Sequence, residues 1–458
     1  MNIAELIAGS RMSRFQIMAI VVAIVLTVLE GYDTAMMVFA APYVTKEFAS
    51  SSSMIGVVLS GALIGMVIGS ILVAPLADRI GRRRIAIVGT VIVLAGMLIA
   101  PFATDMAGIL LSRIVTGLGV GALISVVGVI ASEYSNRRAY PVVMAVYAAG
   151  INIGAVIGAI VIGPLLPSLG WRFAFWAGVV LSAIALILAI VAFPESIAWL
   201  AARRQPGTLD RVNRMLARMG HPALPELPAN QRGQREHTGA LRIVFSKRLI
   251  AQTLLMMVGY IAFLLVFYFA NSWAPNTLAQ ATQVPSYAAP TTLSLGLGGV
   301  IGNLVFGFIS KRVNPRILTP IFLVIGAIGL AVFGSIETMI PLAFVDIFAA
   351  SFFFSAGVVG FYQIVPLMYP TLARATGYGI VAGAGRIGGI ASPILAGAAF
   401  DAGIPVSTVF LIFSLPLVFS ALTVVALAIL EKAQRARAAT AESLDPADGI
   451  ELQPEPAP

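Results

Sequence analysis

The chain contains no cysteine, which excludes a disulfide framework, a thiolate metal site and a cysteine nucleophile. Histidine is nearly as scarce: His221 and His237 alone are too few for a histidine-rich metal centre or a catalytic relay. Charge is also in short supply. Only 11% of residues are Asp, Glu, Lys or Arg, against about 25% in an average soluble domain. What is present instead is apolar: 59% of the 458 residues are hydrophobic and the mean hydropathy is +0.96. A soluble fold cannot bury that much apolar surface, and the excess is spread along the chain, so the composition specifies a polytopic membrane protein. The net charge of +9 would suit nucleic acid only if it were gathered on one soluble face. Here the basic residues fall between apolar spans, and no nucleic-acid partner is expected.

Apolar stretches of about 20 residues, the length that crosses a hydrocarbon core, recur twelve times in two blocks of six, the first covering 15–41 and the seventh 250–273. Arg11 and Arg14 resemble the start of a signal peptide, but the apolar run behind them is too long for one and is read as a retained span. Of the 29 Lys and Arg residues, all but Lys46, Arg113, Arg172 and Arg386 fall in segments that lie on one side of the membrane if both termini are cytoplasmic. Positive charge is retained inside, so that orientation is predicted. GMVIGSILVAPLADRIGRRR, from Gly65, and GGVIGNLVFGFISKRVNPRI, from Gly298, share a Gly-x-Val-Ile-Gly start and a basic end at corresponding places in the two blocks. The expected fold is all-α: twelve transmembrane helices in two six-helix pseudo-repeats, with a substrate site between the halves near the midplane. The layout predicted is an N-terminal six-helix bundle over 1–193, a cytoplasmic linker over 194–249, a C-terminal bundle over 250–430 and a disordered cytoplasmic tail over 431–458. In the linker, Leu209, Val212, Leu216 and Met219 follow helical spacing, which predicts an amphipathic helix lying on anionic lipid.

Charge inside a bilayer is costly, so ionisable residues within the spans are candidates for function. They are Glu30, Asp33, Arg113, Asp346 and Arg386, with Glu133 at the end of the fourth span. The i, i+3 spacing of Glu30 and Asp33 puts both carboxylates on one helical face. Two buried acids on one face cannot both ionise cheaply, so a proton is expected to load and leave there, with the pair titrating as a unit. The competing reading is a static ion pair with Arg113. Arg113 either releases those acids in a conformational step or serves as a fixed partner. Arg386, in GAGRIGG, lies about twelve residues into its span and therefore near mid-membrane. Its glycine neighbours clear space, and a guanidinium fork matches a carboxylate, so an anionic substrate group is the expected partner; Asp346 or helix-end carbonyls are the alternatives. Asp346 reads as a gate or an interfacial residue, and Glu133 as a salt-bridge partner of the adjacent Arg137 and Arg138.

Aromatic residues gather in the second block, among them Tyr260, Phe267, Trp273, Phe354 and Tyr362. A flat apolar ligand stacks on such rings, whereas packing between helices or against lipid is the other reading. The series Gly61, Gly65, Gly69 and Gly150, Gly154, Gly158 follow small-residue spacing that lets helices pack and slide.

With those residues laid out, the chain resembles the major facilitator superfamily over nearly its whole length. LADRIGRRR, Leu76 to Arg84, is similar to that superfamily's loop motif between spans two and three, with Asp78, Arg79, Gly81 and Arg82 matching. Ala74 stands where the motif usually begins with glycine, and Lys311 replaces the acid in the second copy. Arg113, Gly117 and Gly119 match the fourth-span motif. Within the superfamily the chain most resembles the aromatic acid:proton symporters, the benzoate and hydroxybenzoate transporters. The likeness rests on LEGYD at Leu29, SEYSNRR at Ser132, PESIAWL at Pro194, NSWAPNTL at Asn271 and YPTLARATGYGIVAGAGRIGGIASP at Tyr369. Glu30 occupies the first acidic position of a motif that usually reads Asp-Gly-x-Asp.

The resemblance implies proton-coupled import of a small, benzoate-like aromatic carboxylate by alternating access. Glu30, Asp33 and Arg113 would carry proton coupling. Arg386 would meet the substrate carboxylate, with Tyr260, Phe267, Trp273, Phe354 and Tyr362 as the aromatic lining. Asp78, Arg79, Gly81, Arg82 and Glu133 would belong to the cytoplasmic gate. No cofactor or metal is expected, the proton being the coupling ion, and a monomer in the lipid bilayer of a bacterial inner membrane is implied.

A proton-coupled sugar porter is the nearest rival, because PESIAWL also resembles sugar porters. Polyhydroxyl ligands need several buried amides, and the seventh span supplies only Gln252 and Asn271, near its ends. A drug:proton antiporter would carry Gly-Pro midway through the fifth span, whereas Gly163 and Pro164 lie near that span's outer end. A membrane sensor that binds without transporting stays open. An enzyme lacks a nucleophile, metal or cofactor constellation.

Overall fold

The computed structural model describes residues 3–203, 206–227, 241–247, 249–370 and 373–444. Among them are twelve helices long and apolar enough to cross a membrane, and no strand. We label them α1 (Arg14–Phe48), α2 (Ser52–Ile80), α3 (Arg82–Ile99), α4 (Met106–Glu133), α5 (Tyr140–Ile157), α6 (Trp171–Ala192), α7 (Ile250–Ala281), α8 (Ala288–Ile309), α9 (Pro315–Ile336), α10 (Ile340–Ile364), α11 (Arg374–Asp401) and α12 (Val406–Leu444). The bundle has two faces. One carries the described ends of the chain, and the other, here the far face, carries the turns at 49–51 and 402–405.

The two blocks pack by the same scheme. In the first, α2 lies on α4, α1 on α5 and α3 on α6; in the second, α8 lies on α10, α7 on α11 and α9 on α12. Glycine makes the tightest of these contacts possible. A Cβ at Gly65 would sit 2.1 Å from the Ile114 carbonyl oxygen, and one at Gly302 would sit 1.9 Å from that of Phe352. Only a residue without a side chain lets the backbones approach so closely, and dispersion contacts then replace the hydrophobic drive that lipid removes.

Helix ends follow backbone chemistry more than hydropathy. α1 starts where Ser13 accepts from the Gln16 amide at 3.2 Å while the Gln16 side chain accepts from the Ser13 amide at 2.8 Å, a reciprocal cap. It runs on to Phe48, past the expected end at 41, because its hydrogen-bond ladder needs no apolar side chains.

Two expectations change. The tail expected to be disordered from 431 is helical as far as Leu444, and 445–458 lie outside the described residues. Residues 431–444 are rich in Ala, Glu, Lys, Arg and Gln and contain neither Gly nor Pro, so nothing in them stops a helix. Glu431 pairs with Arg316 at 2.8 Å and Gln434 accepts from Gln252 at 2.8 Å, which holds the extension against α9 and α7. The amphipathic helix in the linker, Thr208–Arg218, docks on the protein itself rather than exposing its apolar face for lipid. Val212 and Leu216 are fully buried in the core, and the Arg218 guanidinium lies 5.6 Å from the centre of the Phe15 ring. An amphipathic face is satisfied by either partner, and spacing alone does not choose between them.

Candidate functional site

Glu30 and Asp33 stand on neighbouring positions of α1, offset by about 4.5 Å along the axis. Between them Gly31 lets the α5 backbone in: a Cβ there would lie 1.9 Å from the Ile151 carbonyl oxygen. Asp33 and Arg113 of α4 are each 2% exposed and form a two-pronged pair, Nη1 to Oδ1 at 2.7 Å and Nη2 to Oδ2 at 3.1 Å. Nη2 also donates to the Asp33 carbonyl oxygen at 3.2 Å, whereas the buried Nε has no partner. Glu30 is different. Its carboxylate makes no hydrogen bond or ion pair with the described residues, and it lies near enough to Asp33 and Arg386 for their charges to act on it. The two acids are not alike: one guanidinium fork satisfies one carboxylate, and the register gives that fork to Asp33.

Arg386 is set among glycines that press α11 onto α7. A Cβ at Gly388 would lie 2.1 Å from the Ile261 carbonyl oxygen, and one at Gly385 would lie 2.4 Å from the Tyr260 ring. The guanidinium is half-buried and donates from Nη1 to Ser70 Oγ of α2 at 2.9 Å. It forms no ion pair with the described residues. Asp346 is not its partner: that carboxylate has a buried oxygen with no hydrogen bond. Arg386 is thus a cation in the middle of its span reaching from the second half to the first, with one hydrogen bond to the described residues out of the five its guanidinium can donate.

Tyrosines surround the Glu30 and Arg386 charges. Tyr147 of α5 is within electrostatic reach of Glu30, Tyr378 of α11 of Arg386, and Tyr268 of α7 of both. Tyr362 of α10 is 49% exposed, and its ring meets that of Tyr378 edge-on at 5.6 Å. Tyr260 is buried between Phe263, stacked at 5.7 Å, and Phe361, edge-on at 4.9 Å. Phe267 is half-buried against Tyr268 and Phe354. Two residues expected in the lining are fully buried in helix packing. Phe354 is fully buried against α9, where a Cβ at Gly326 would lie 2.7 Å from its amide nitrogen. Trp273 is 1% exposed, donates to the Pro393 carbonyl oxygen at 3.2 Å and packs on Phe400 at 4.8 Å, nearer the far face than Arg386. Both rings fill gaps inside the second half, which their sequence positions do not reveal.

Four hydrogen bonds between described residues cross from one half to the other. Asp401 accepts from the amides of Ser52 and Ser53 at 2.8 Å each, Ser60 donates to the Ile390 carbonyl oxygen at 2.8 Å, and Arg386 donates to Ser70. All lie at Arg386 or between it and the far face. On the termini side of Arg386 no described hydrogen bond joins the two halves. The halves are therefore latched at the far face, and the charged site sits beneath that latch.

A family model described as Major Facilitator Superfamily matches residues 23–332 and 256–454. The chain belongs to the Major Facilitator Superfamily. Among its relatives, a gallate transporter of Pseudomonas putida is 27% identical, over 93% of this chain and 94% of its own. The 4-hydroxybenzoate transporter PcaK of the same organism is 29% identical, over 85% and 87% respectively. A benzoate transport protein of Acinetobacter baylyi is 24% identical, over 92% of each chain. Among solved structures, the partially occluded inward-open form of the xylose transporter XylE from E. coli aligns with TM-score 0.68 at 18% identity, covering 90% of this chain and 97% of that one. A bacterial homologue of the lysosomal transporter Spinster, inward-facing, aligns with TM-score 0.63 at 16% identity, over 92% and 97%.

The superfamily's loop motif builds a second polar site, at the termini face. Gly81 has φ +106°, and a Cβ there would lie 2.4 Å from Glu195 Oε2, so this turn requires glycine. Glu195 Oε1 accepts from the amides of Arg82 at 2.7 Å, Arg83 at 3.2 Å and Ser196 at 3.0 Å, which caps the start of α3 with a carboxylate from the linker. Arg82 forms an ion pair with Glu133 and donates to Ser196 Oγ at 2.6 Å, and Ser196 donates to Glu133 Oε2 at 2.6 Å. Glu133 therefore pairs with Arg82 and not with the adjacent Arg137 and Arg138, because α4 ends against the loop of the motif. Arg79 is exposed, and the Asp78 side chain lies outside the described residues. Sequence reasoning missed Ser70, Tyr147 and Tyr378 at the central site and Glu195 and Ser196 at the termini face. The tyrosines carried one usable signal, a phenol inside an otherwise apolar span.

Proposed function

We propose that this transporter imports a small aromatic carboxylate together with protons, by alternating access, as a monomer in the bacterial inner membrane with both termini in the cytoplasm. One observation carries the reading: Arg386 and Glu30, a cation and an acid, stand near mid-membrane without an ion-pair partner among the described residues, inside a ring of tyrosines. A buried arginine with free donors fits a carboxylate, and aromatic walls fit a flat ring. The printed names of the relatives, gallate, 4-hydroxybenzoate and benzoate transporters, support the same class of cargo.

In this reading the far face is the outside and the latched state is open to the cytoplasm. When the far face opens, Glu30 and Asp33 take up protons and the anion docks on Arg386. Neutralised charges tolerate closure into a low-dielectric interior, whereas unpaired ions do not. Opening to the cytoplasm releases the protons. Asp33 then re-forms its pair with Arg113, and ionised Glu30 competes with the cargo for Arg386, which favours release. No cofactor is needed, since the proton gradient supplies the work.

The test is uptake of radiolabelled benzoate, 4-hydroxybenzoate, gallate and xylose into proteoliposomes, with and without an imposed pH gradient. The proposal expects an aromatic acid to accumulate with the gradient and to equilibrate only when a protonophore is added. Gradient-driven accumulation of xylose but of no aromatic acid would overturn it, and so would saturable binding without accumulation.

A further inference from the structure

Eleven tyrosines occur in the chain, and six of them fall into two groups by what their hydroxyls meet. Tyr32 donates to the Ala174 carbonyl oxygen at 2.6 Å, Tyr134 to that of Glu195 at 2.8 Å and Tyr369 to Thr253 Oγ1 at 3.0 Å. These phenols are structural: each is buried, and each places its hydroxyl on a fixed partner. Tyr147, Tyr362 and Tyr378 donate to no backbone carbonyl among the described residues. Their polar neighbours are other side chains: Tyr378 meets Tyr362, their rings edge-on at 5.6 Å, Tyr362 also meets Tyr260, and Tyr147 meets Glu30 and Thr27. Tyr362 interacts with Tyr378 within the second half and with Tyr147 across the gap between the halves. Tyr147 also senses Glu30, and Tyr378 senses Arg386, so these two phenols border the charged pair and Tyr362 lies within reach of both.

We infer that Tyr147, Tyr362 and Tyr378 determine specificity by reading hydroxyl groups on the ring of the cargo, so that the transporter prefers hydroxylated aromatic carboxylates to the unsubstituted acid. This rests on the reading of Arg386 as the carboxylate site. A carboxylate on Arg386 leaves the ring's other edge to be recognised. A phenol both donates and accepts, so a tyrosine hydroxyl can exchange its contact with a neighbouring tyrosine or threonine hydroxyl for one with a ring hydroxyl at little net cost. An unsubstituted ring offers no such exchange and strands the phenols it covers, and a site with polar groups left unpaired discriminates strongly. Because Tyr147 belongs to the first half and Tyr362 and Tyr378 to the second, a hydroxylated ring would also bridge the halves as they close.

The test compares benzoate, 4-hydroxybenzoate, 3,4-dihydroxybenzoate and gallate as competitors of labelled 4-hydroxybenzoate uptake in proteoliposomes. The proteins are wild type, Tyr147→Phe, Tyr362→Phe, Tyr378→Phe and, as a control, Tyr32→Phe. The expected result is a wild-type preference of about tenfold or more for the best hydroxylated acid over benzoate. That ratio should fall severalfold in at least two of the three chamber variants and keep its wild-type value in Tyr32→Phe. A ratio rather than a rate removes differences in folding and expression. Wild type that favours benzoate, or chamber variants that keep the wild-type ratio, would overturn this inference while leaving aromatic acid transport intact. Uptake of no aromatic acid by wild type would overturn the parent reading and this one with it.

Discussion

Arg113 donates two parallel hydrogen bonds to the Asp33 carboxylate at 2.7 and 3.1 Å, whereas the carboxylate of Glu30, on the same helix three residues earlier, accepts none from the described residues. The two acids therefore face different electrostatic problems. Asp33 is a buried ion whose hydration is replaced by one guanidinium, and Glu30 is a buried acid whose hydration is replaced by nothing fixed. The first arrangement is stable and expensive to break. The second is suited to change.

Breaking the pair from one side should unfold more than it silences. Arg113→Met leaves Asp33 buried and unpaired, and a loss of about 3–5 kcal/mol is expected. The double variant Asp33→Leu with Arg113→Met removes both charges and should recover most of that stability without recovering uptake. Thermal unfolding of the purified proteins in detergent reads the first effect, and proteoliposome uptake the second. A double variant no more stable than Arg113→Met would show that the pair is not the source of the loss.

Glu30→Gln removes a charge that no partner needs, so its melting temperature should match wild type or exceed it. Accumulation driven by a pH gradient should disappear, while exchange of labelled for unlabelled cargo at equal pH on both sides continues. Glu30→Asp, which keeps the acid on a shorter arm, should retain part of the coupled uptake. Undiminished accumulation by Glu30→Gln would remove this residue from the proton path.

Replacing Arg386 by lysine keeps the charge and loses the planar fork. Hydrogen bonds to charged groups contribute about 1.5–3 kcal/mol, so a rise in KM of roughly 10-fold to 100-fold is expected. The maximal rate should change less, and the lost Ser70 bond can be tested alone with Ser70→Ala. Equal KM values for wild type and Arg386→Lys would place the carboxylate elsewhere.

The far-face latch predicts a change in accessibility. Asp401→Ala removes a carboxylate that joins α11 to the first turn of α2 through the Ser52 and Ser53 amides. The chain has no cysteine, so Ser60→Cys, at a fully buried position in the latch, supplies a single thiol in both backgrounds; because it weakens the Ser60 bond to the Ile390 carbonyl oxygen equally in each, the comparison isolates Asp401. A membrane-impermeant thiol reagent added on the outside should label Ser60→Cys slowly in the otherwise native chain and severalfold faster with Asp401→Ala. Equal labelling rates would mean that close packing of α2 on α11, where a Cβ at Gly56 would lie 2.2 Å from the Pro393 carbonyl oxygen and one at Gly397 2.4 Å from that of Ser52, closes the far face unaided.

Gly81 offers a check on the loop motif. Its φ of +106° is strained for any other residue, and the Cβ of Gly81→Ala would collide with the Glu195 carboxylate that caps α3. A cost of roughly 1–3 kcal/mol is expected. Serine at Glu195 should relieve the collision but not the strain, so the double variant should recover only part of the melting temperature.

The sequence by itself determined the class of the fold, the number of membrane helices and which charges stand inside the bilayer. Those properties follow from the free energy of moving side chains out of water, which each residue contributes locally. Glu30, Asp33, Arg113 and Arg386 could be singled out because nothing else in an apolar span carries charge. Tertiary structure decided their partners. Whether Arg113 forks onto Asp33 or Glu30, whether Glu133 meets Arg82 or Arg137, and whether Trp273 lines a chamber or fills a gap depend on the rotation and depth of helices far apart in the chain. The same holds for the linker helix, whose apolar stripe suits lipid or protein equally, and for Tyr147 and Tyr378, which are ordinary phenols until α5 and α11 bring them to the charged pair. A transfer free energy belongs to a residue, but a contact belongs to two, and only the packed fold names the second.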